Sequence, residues 1–267
     1  MAPVDFDLSR IVAPFRMQPG LQRLAPGARQ LTPLAAGSPL WQEKKQVLDA
    51  GASRLSVPGF DPQPALRAIA SQAAREGLAA HEPVELAFEE DFAVLEGAGG
   101  TLPWLCVCVP SHWAPEDKLG LPFASVHAPV ADNQMLLAAG RQLVQLVTSG
   151  ERFERFVWTV TPSGRFDQHP RRHPRAPWPD SSDPADFARQ CFLRVERQTF
   201  FPVDEVPGQA VFTIRVMLQA LPQAARAPEA ARRLHDALAT MSEAVLAYKN
   251  LAPARERLLA WLAQESR

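Results

Sequence analysis

The chain has 267 residues, 46% of them hydrophobic, and its 28 basic and 29 acidic side chains leave a formal charge of −1. That is enough chain to bury one large core, while so even a balance supplies no basic field for a phosphate backbone and sets nucleic acid aside as a partner. No stretch reaches the length of a membrane span, and the opening MAPVDFDLSRIVAPFRM breaks with acids and prolines the apolar run a signal peptide needs, so the cytoplasm is the expected compartment.

Proline is the outlier, 26 residues against a usual share of ~5%, and predicts long ordered loops of the kind that wrap ligands. Residues 1–37 show no periodicity and read as an irregular arm anchored by Phe15, Arg16, Met17 and Leu31. Ser38-Pro39 supplies an N-cap and a first-turn proline for a helix through Trp41, Val47 and Leu48. A second helix is expected from about Pro64, with Leu66, Ile69, Ala70, Ala73 and Leu78 near helical spacing. From Val84 the period changes. Leu86, Phe88, Phe92, Val94 and Leu95, then the glycines at 97, 99 and 100, predict a β-hairpin whose second strand is Leu105 to Val109, stopped by Pro110.

Between Pro110 and Pro129 four prolines and Gly120 exclude a regular helix, so Ser125 to Ala128 is expected to be extended and braced by Pro122 and Pro129. Asp132-Asn133 can cap a helix to about Thr148. Three strands follow, Phe156 to Val160, Cys191 to Thr199 and Ala210 to Leu218, then helices over Glu229 to Leu246 and Ala254 to Gln264. Five strands with a helix after the second predict an α+β fold, a PAS-like five-stranded antiparallel sheet flanked by helices. The expected organisation is one compact unit: an arm and helices at 1–83, a core at 84–222 and a helical extension at 223–267.

Chemistry-bearing residues cluster in three places. His127, on its proline-braced segment, can offer one ring nitrogen to a metal while the other donates to a carbonyl; a hydrogen-bonded loop histidine is the plainer reading. His169 and His173 have the spacing of a zinc pair, but Pro170 and Pro174 forbid the helix that would align them, so residues 164–179 read as a solvated flap. His169 and His112 remain second and third candidates as metal ligands. Alternation on the fourth strand sets Arg194, Glu196 and Gln198 against Val195, Arg197 and Thr199, with an arginine on each face. Glu196 can pair with Arg194 or Arg215, or these charges can meet a ligand. Cys106 and Cys108 have neither a zinc nor a redox spacing and read as core.

The order Pro110-Ser111-x-Trp113, Glu116-x-Lys118-Leu119-Gly120 and Val126-His127-x-Pro129-Val130 resembles the central signature of the family containing the haem-binding α subunit of haem-dependent oxidative N-demethylases. Leu193-Arg194-Val195-Glu196-Arg197-Gln198-Thr199, Val211-Phe212-Thr213-Ile214-Arg215 and Tyr248-Lys249-Asn250-Leu251 agree with it in order. The resemblance implies a haem b protein with His127 as the iron ligand, Lys118 and Trp158 beside the cofactor, Arg197 and Arg215 against its propionates, and Glu196 and Thr213 in the distal cavity.

It further implies an oxygen-activating oxidoreductase that removes an N-methyl group from a small amine. The sequence holds no nicotinamide fingerprint, no phosphate-binding loop and no four-cysteine set, so electrons from NAD(P)H would arrive through a separate flavin or iron–sulfur reductase. A non-catalytic haem or gas-binding sensor or carrier, and a haem-less small-molecule module, are the alternatives. Valine stands at 157 where the family has asparagine before the tryptophan. Phe200-Phe201-Pro202-Val203 replaces Arg-Arg-Leu-Pro, and Arg215-Val216-Met217 replaces a stretch ending in tyrosine.

Overall fold

Period-two alternation and well-marked helix starts divide the chain, and the computed structural model, which describes residues 4–267, shows the elements they produce. In order they are β1 (Gln22–Arg23), α1 (Pro39–Asp49), β2 (Arg54–Ser56), α2 (Gln63–Arg75), α3 (Val84–Ala87), β3 (Glu90–Glu96), β4 (Trp104–Cys106), α4 (Phe123–His127), α5 (Gln134–Ala138), α6 (Gly140–Val147), β5 (Phe153–Thr161), α7 (Pro184–Arg189), β6 (Phe192–Pro202), β7 (Gln209–Ala220), α8 (Leu221–Ala224), α9 (Pro228–Ala239), α10 (Glu243–Tyr248) and α11 (Arg255–Glu265). Ser38 caps α1 as its position suggests, its hydroxyl accepting from the Trp41 amide at 3.2 Å. No helix among the described residues is long and apolar enough to cross a membrane.

The strands form one antiparallel sheet in the order β1-β5-β6-β7-β3-β4-β2. The sheet therefore has seven strands rather than the five expected. The two additions are edge strands of two and three residues, too short and too polar to show alternation: Gln22 and Arg23 pair with Glu154 and Phe153, and Arg54 to Ser56 pair with Cys106 to Trp104. The expected second strand ends at Cys106 because a carboxylate takes over its backbone. Asp91 Oδ2 accepts from the Cys108 and Val109 amides at 3.0 and 2.8 Å, and Lys44 of α1, fully buried, bonds Asp91 at 3.0 Å from the other side.

Three further expectations are corrected. Residues 125–128 are not extended: Pro122 and Pro129 leave room for one helical turn between them, and Phe123–His127 takes it. The helix expected to Thr148 is broken at Ala139-Gly140, where a Cβ on Gly140 would lie 3.0 Å from the Phe123 ring. The helix expected over 229–246 stops at Ala239, since the Thr240 hydroxyl donates to the Asp236 carbonyl at 2.8 Å and Ser242 caps a new helix.

The two faces of the sheet are covered differently. One, carrying Trp158, Val160, Leu193, Val195 and Met217, is buried under α7 to α11, with α2 closing its other end over Phe92, Val94, Phe201 and Val211. The arm lies on the same side. Ile11 and Leu31 are buried, and Phe6 packs on Phe156 with centroids 5.3 Å apart. The opposite face carries Leu95, Phe153, Phe200 and Phe212 under α6, and Ile214 and Val216 under α1.

Candidate functional site

Strand register decides which side chains can meet. In β5, β6 and β7 the pairs Arg155↔Gln198, Val157↔Glu196 and Glu196↔Val216 put Arg155, Val157, Glu196, Gln198, Ile214 and Val216 on the face beneath α6. Val157, Glu196, Gln198 and Phe212 are only half-buried there, in the middle of the sheet. α4 and the loop that carries Lys118 come near them, close enough for the Arg155 charge to act on His127 and the Glu196 charge on Lys118.

His127 is the last residue of α4. Its ring lies over the Phe123 ring, centroids 4.0 Å apart, and Nδ1 donates to the Phe123 carbonyl at 2.8 Å. With the proton fixed on Nδ1, Nε2 is left with its lone pair. Burial pushes the imidazole down to about 4, the carbonyl bond opposes this, and the Arg155 and Lys118 charges add to it. The ring is neutral at pH 7, the state in which an imidazole binds metal. The turn is held in place by Asn133, whose amide donates to the His127 and Ala128 carbonyls at 3.0 and 3.1 Å, and by Lys118, which donates to the Val126 carbonyl at 3.2 Å.

The charges around Glu196 do not balance. Lys118, Arg155, Arg194, Lys249 and the Tyr248 phenol all feel its carboxylate, yet none forms an ion pair with it; its bond is with Gln198 Nε2 at 2.7 Å. Arg194 is satisfied otherwise, donating to Ser111 Oγ and to carbonyls of residues 109, 165 and 166, although its burial still pushes it down to about 10. Lys249 leaves part of its stem exposed, but the atoms crowding its amine push it down to about 8, and it donates to the Trp158 carbonyl at 2.9 Å.

Arg155 is the exception. Its Nε is buried with no partner among the described residues, and burial lowers the guanidinium. A buried guanidinium nitrogen without a partner costs about 1–3 kcal/mol, so this half-buried position favours an anion that the chain itself does not provide.

Four sequence-selected residues lie elsewhere. Arg197, Thr213, Arg215 and Trp158 alternate onto the other face. Arg197 is held by Glu154 at 2.9 Å and donates to the Arg29 carbonyl. Arg215 is held by Glu89 at 2.7 Å and Asp5 at 3.4 Å, and Thr213 bonds Thr199 at 2.7 Å in the core. The ring of Trp158 meets Phe15 of the arm edge-on. Pairing of Glu196 with Arg194 or Arg215 does not occur.

The loop at 164–179 is no solvated flap either: Asp167, Gln168 and His169 are buried. Both nitrogens of His169 are engaged, Nε2 with Glu116 at 3.0 Å and Nδ1 with the Arg171 amide at 3.1 Å, so neither is free for a metal. His112 sits apart at the edge of β5. The sequence reading passed over Arg155, whose place between Glu154 and Phe156 looks like ordinary strand polarity. Only its register opposite Gln198, beside Glu196, reveals it.

Among the described residues no three histidine, cysteine or acidic side chains converge as a metal site. His127 thus offers one ligand, and an iron bound there would need its remaining ligands from a macrocycle. A family model described as haem-dependent oxidative N-demethylase, alpha subunit-like, matches residues 70–259. No curated protein matches the chain.

Proposed function

Because the chain belongs to the haem-dependent oxidative N-demethylase, alpha subunit-like family, we propose that it holds a haem b at His127 and acts as the oxygen-activating component of an oxidase or monooxygenase that demethylates a small amine. The observation that carries this reading is the pair formed by a neutral imidazole with a free Nε2 and an orphaned guanidinium beside it. A haem needs both, an axial nitrogen and a cation for its propionates, so the residues present fit the group. The five inner strands, in the order β5-β6-β7-β3-β4, support a PAS-like reading of the core.

On this reading His127 Nε2 would hold the haem iron, and the bond from Nδ1 to the Phe123 carbonyl would raise the basicity of the ring and fix its orientation. Arg155 and Lys118 take the propionates; Arg197 and Arg215 do not, since Glu154 and Glu89 already hold them on the other face. The apolar wall of half-buried Val157 and Phe212 accommodates the macrocycle and excludes water from one side, Ile214 and Val216 being already covered by α1. Glu196, oriented by Gln198, attracts the ammonium group of a methylated amine and holds it over this wall. Bound haem supplies the binding and reductive activation of dioxygen. Electrons come from a separate reductase protein.

The test has two stages. The full chain reconstituted with haemin should give a Soret band that saturates at one equivalent. Supplied with a reductase and a panel of methylated amines, it should release formaldehyde. A saturating Soret band without formaldehyde would favour a haem or gas-binding carrier, and no Soret band would leave a small-molecule module without haem.

A further inference from the structure

Beyond the two residues that pair with β1, the edge of β5 borders a small cavity. A cavity of about 20 Å³ lies between Thr159, Thr161, His112, Arg175, Trp178 and Lys249, room for one molecule somewhat larger than water. Its lining contains two cationic side chains and a histidine and no carboxylate. One lining residue, His112 at φ 59°, holds the left-handed backbone conformation that a side chain with a Cβ rarely adopts, whereas Asn250 at φ 56° is the left-handed end of α10, followed by the Leu251 amide donating to the Leu246 carbonyl at 2.7 Å. Strain of this kind concentrates where a structure holds a ligand.

Some of the polar groups facing the cavity are already engaged: Trp178 Nε1 donates to the Asn250 carbonyl at 2.9 Å and the Thr161 hydroxyl accepts from the Ser163 amide at 3.2 Å. Lys249 gives one N–H to the Trp158 carbonyl and has two more. The guanidinium of Arg175 and the ring of His112 have no hydrogen-bond or ion-pair partner among the described residues. The charges felt there are of one sign on the His112 side. Burial pushes His112 down to about 4, with Arg175 and Arg194 adding to it. At Lys249 burial acts first, Glu196 opposes it from beyond ion-pair distance, and Arg155 adds to it.

We propose that this cavity is a small-anion site, taking one monovalent anion of the size of chloride or formate between Lys249, Arg175 and His112. Two N–H groups of Lys249, the exposed fork of Arg175 and the single N–H of the neutral His112 ring supply the donors. The proposal is independent of the haem reading, because none of these donors is His127, Lys118 or Arg155.

The test uses the full chain without added haem. With lysine labelled at Cε, NMR follows Lys44, Lys45, Lys118 and Lys249 in gluconate buffer, as chloride or formate replaces gluconate at constant ionic strength. The Lys249 midpoint should rise saturably from about 8 by roughly one unit, since an anion that binds the protonated amine tenfold more tightly shifts it by that much. A shift with chloride alone or with formate alone supports the site and identifies its shape. Arg175→Gln, an exposed substitution, should weaken the response about tenfold. No saturable shift with either anion, or an unchanged response in Arg175→Gln, would overturn the proposal.

Discussion

Arg155→Met should make the haem-free protein more stable and the haem complex weaker. In the haem-free chain the guanidinium is a cost, its Nε buried without a partner. Replacing buried ionic groups by apolar side chains of similar volume often stabilises by about 1–4 kcal/mol. Arg155 retains some solvent contact, so the low end applies, about 1–2 kcal/mol. At roughly 2–4 °C per kcal/mol for a chain of this size, Tm should rise by about 2–8 °C. With haem bound, the same substitution removes a charge-assisted hydrogen bond to a propionate, worth about 1.5–3 kcal/mol, and haem affinity should fall about 10- to 150-fold. Calorimetry of the haem-free protein and a haemin titration at the Soret maximum measure the two effects. A lower Tm would mean that Arg155 has a partner in solution, and unchanged affinity would remove it from the site.

Other perturbations separate the two faces of the sheet. Arg197→Met should leave haem affinity unchanged but cost about 1–3 kcal/mol of stability, because Glu154, which is nearly buried, then keeps only Arg10 at 3.4 Å and Gln22 at 3.1 Å; denaturant unfolding and a haemin titration check both. Glu90 is buried, bonded to the Thr32 amide by one oxygen with the other unpartnered, and burial pushes it up to about 7. Its folded form holds a proton that the unfolded form loses at about 4.5, so stability should fall as pH rises from about 4.5 to about 7 and level off above. The total is about 3 kcal/mol. His127 and His112, with lowered folded values, tilt the curve the other way over an overlapping range, so the Glu90→Gln minus wild-type difference isolates the term. A flat difference would contradict it. His169→Ala should cost about 1–3 kcal/mol, since Glu116 loses its buried donor, yet leave the spectrum of reconstituted protein unchanged; a changed axial ligand field would mean that His169, not His127, binds iron.

What the sequence revealed of this fold follows from how local each signal is. Ser38-Pro39 and the patterns at 156–160, 191–199 and 210–218 act within a few residues, and the helix and strands formed there, the strands running on to 153–161, 192–202 and 209–220. The edge strands at 22–23 and 54–56 exist only because β5 and β4 offer unpaired backbone, which no short polar segment announces. Prolines at 122 and 129 were visible, but whether the six residues between them extend or coil depends on the packing of Phe123 against Gly140.

For the site, alternation in β6 separated Glu196 from Arg197 in the sequence itself. Residues of both faces were nevertheless expected around one ligand, because the resemblance carries no information about which side of the sheet is covered. The arm settles that: Asp5 and Arg29 come from more than 160 residues away to occupy Arg215 and Arg197. Arg155 stayed hidden for the converse reason, since a charge within a strand looks exposed until its neighbours are known.

The most direct measurement is a haemin titration of wild type, His127→Ala and His127→Gly, followed at the Soret maximum with far-UV circular dichroism recorded on each sample. Wild type should saturate at one equivalent, the alanine variant should show no stoichiometric binding with its backbone spectrum intact, and imidazole added to the glycine variant should restore the band. A His127→Ala protein that still takes up one equivalent with the wild-type spectrum would contradict the assignment of His127 Nε2 as the axial ligand.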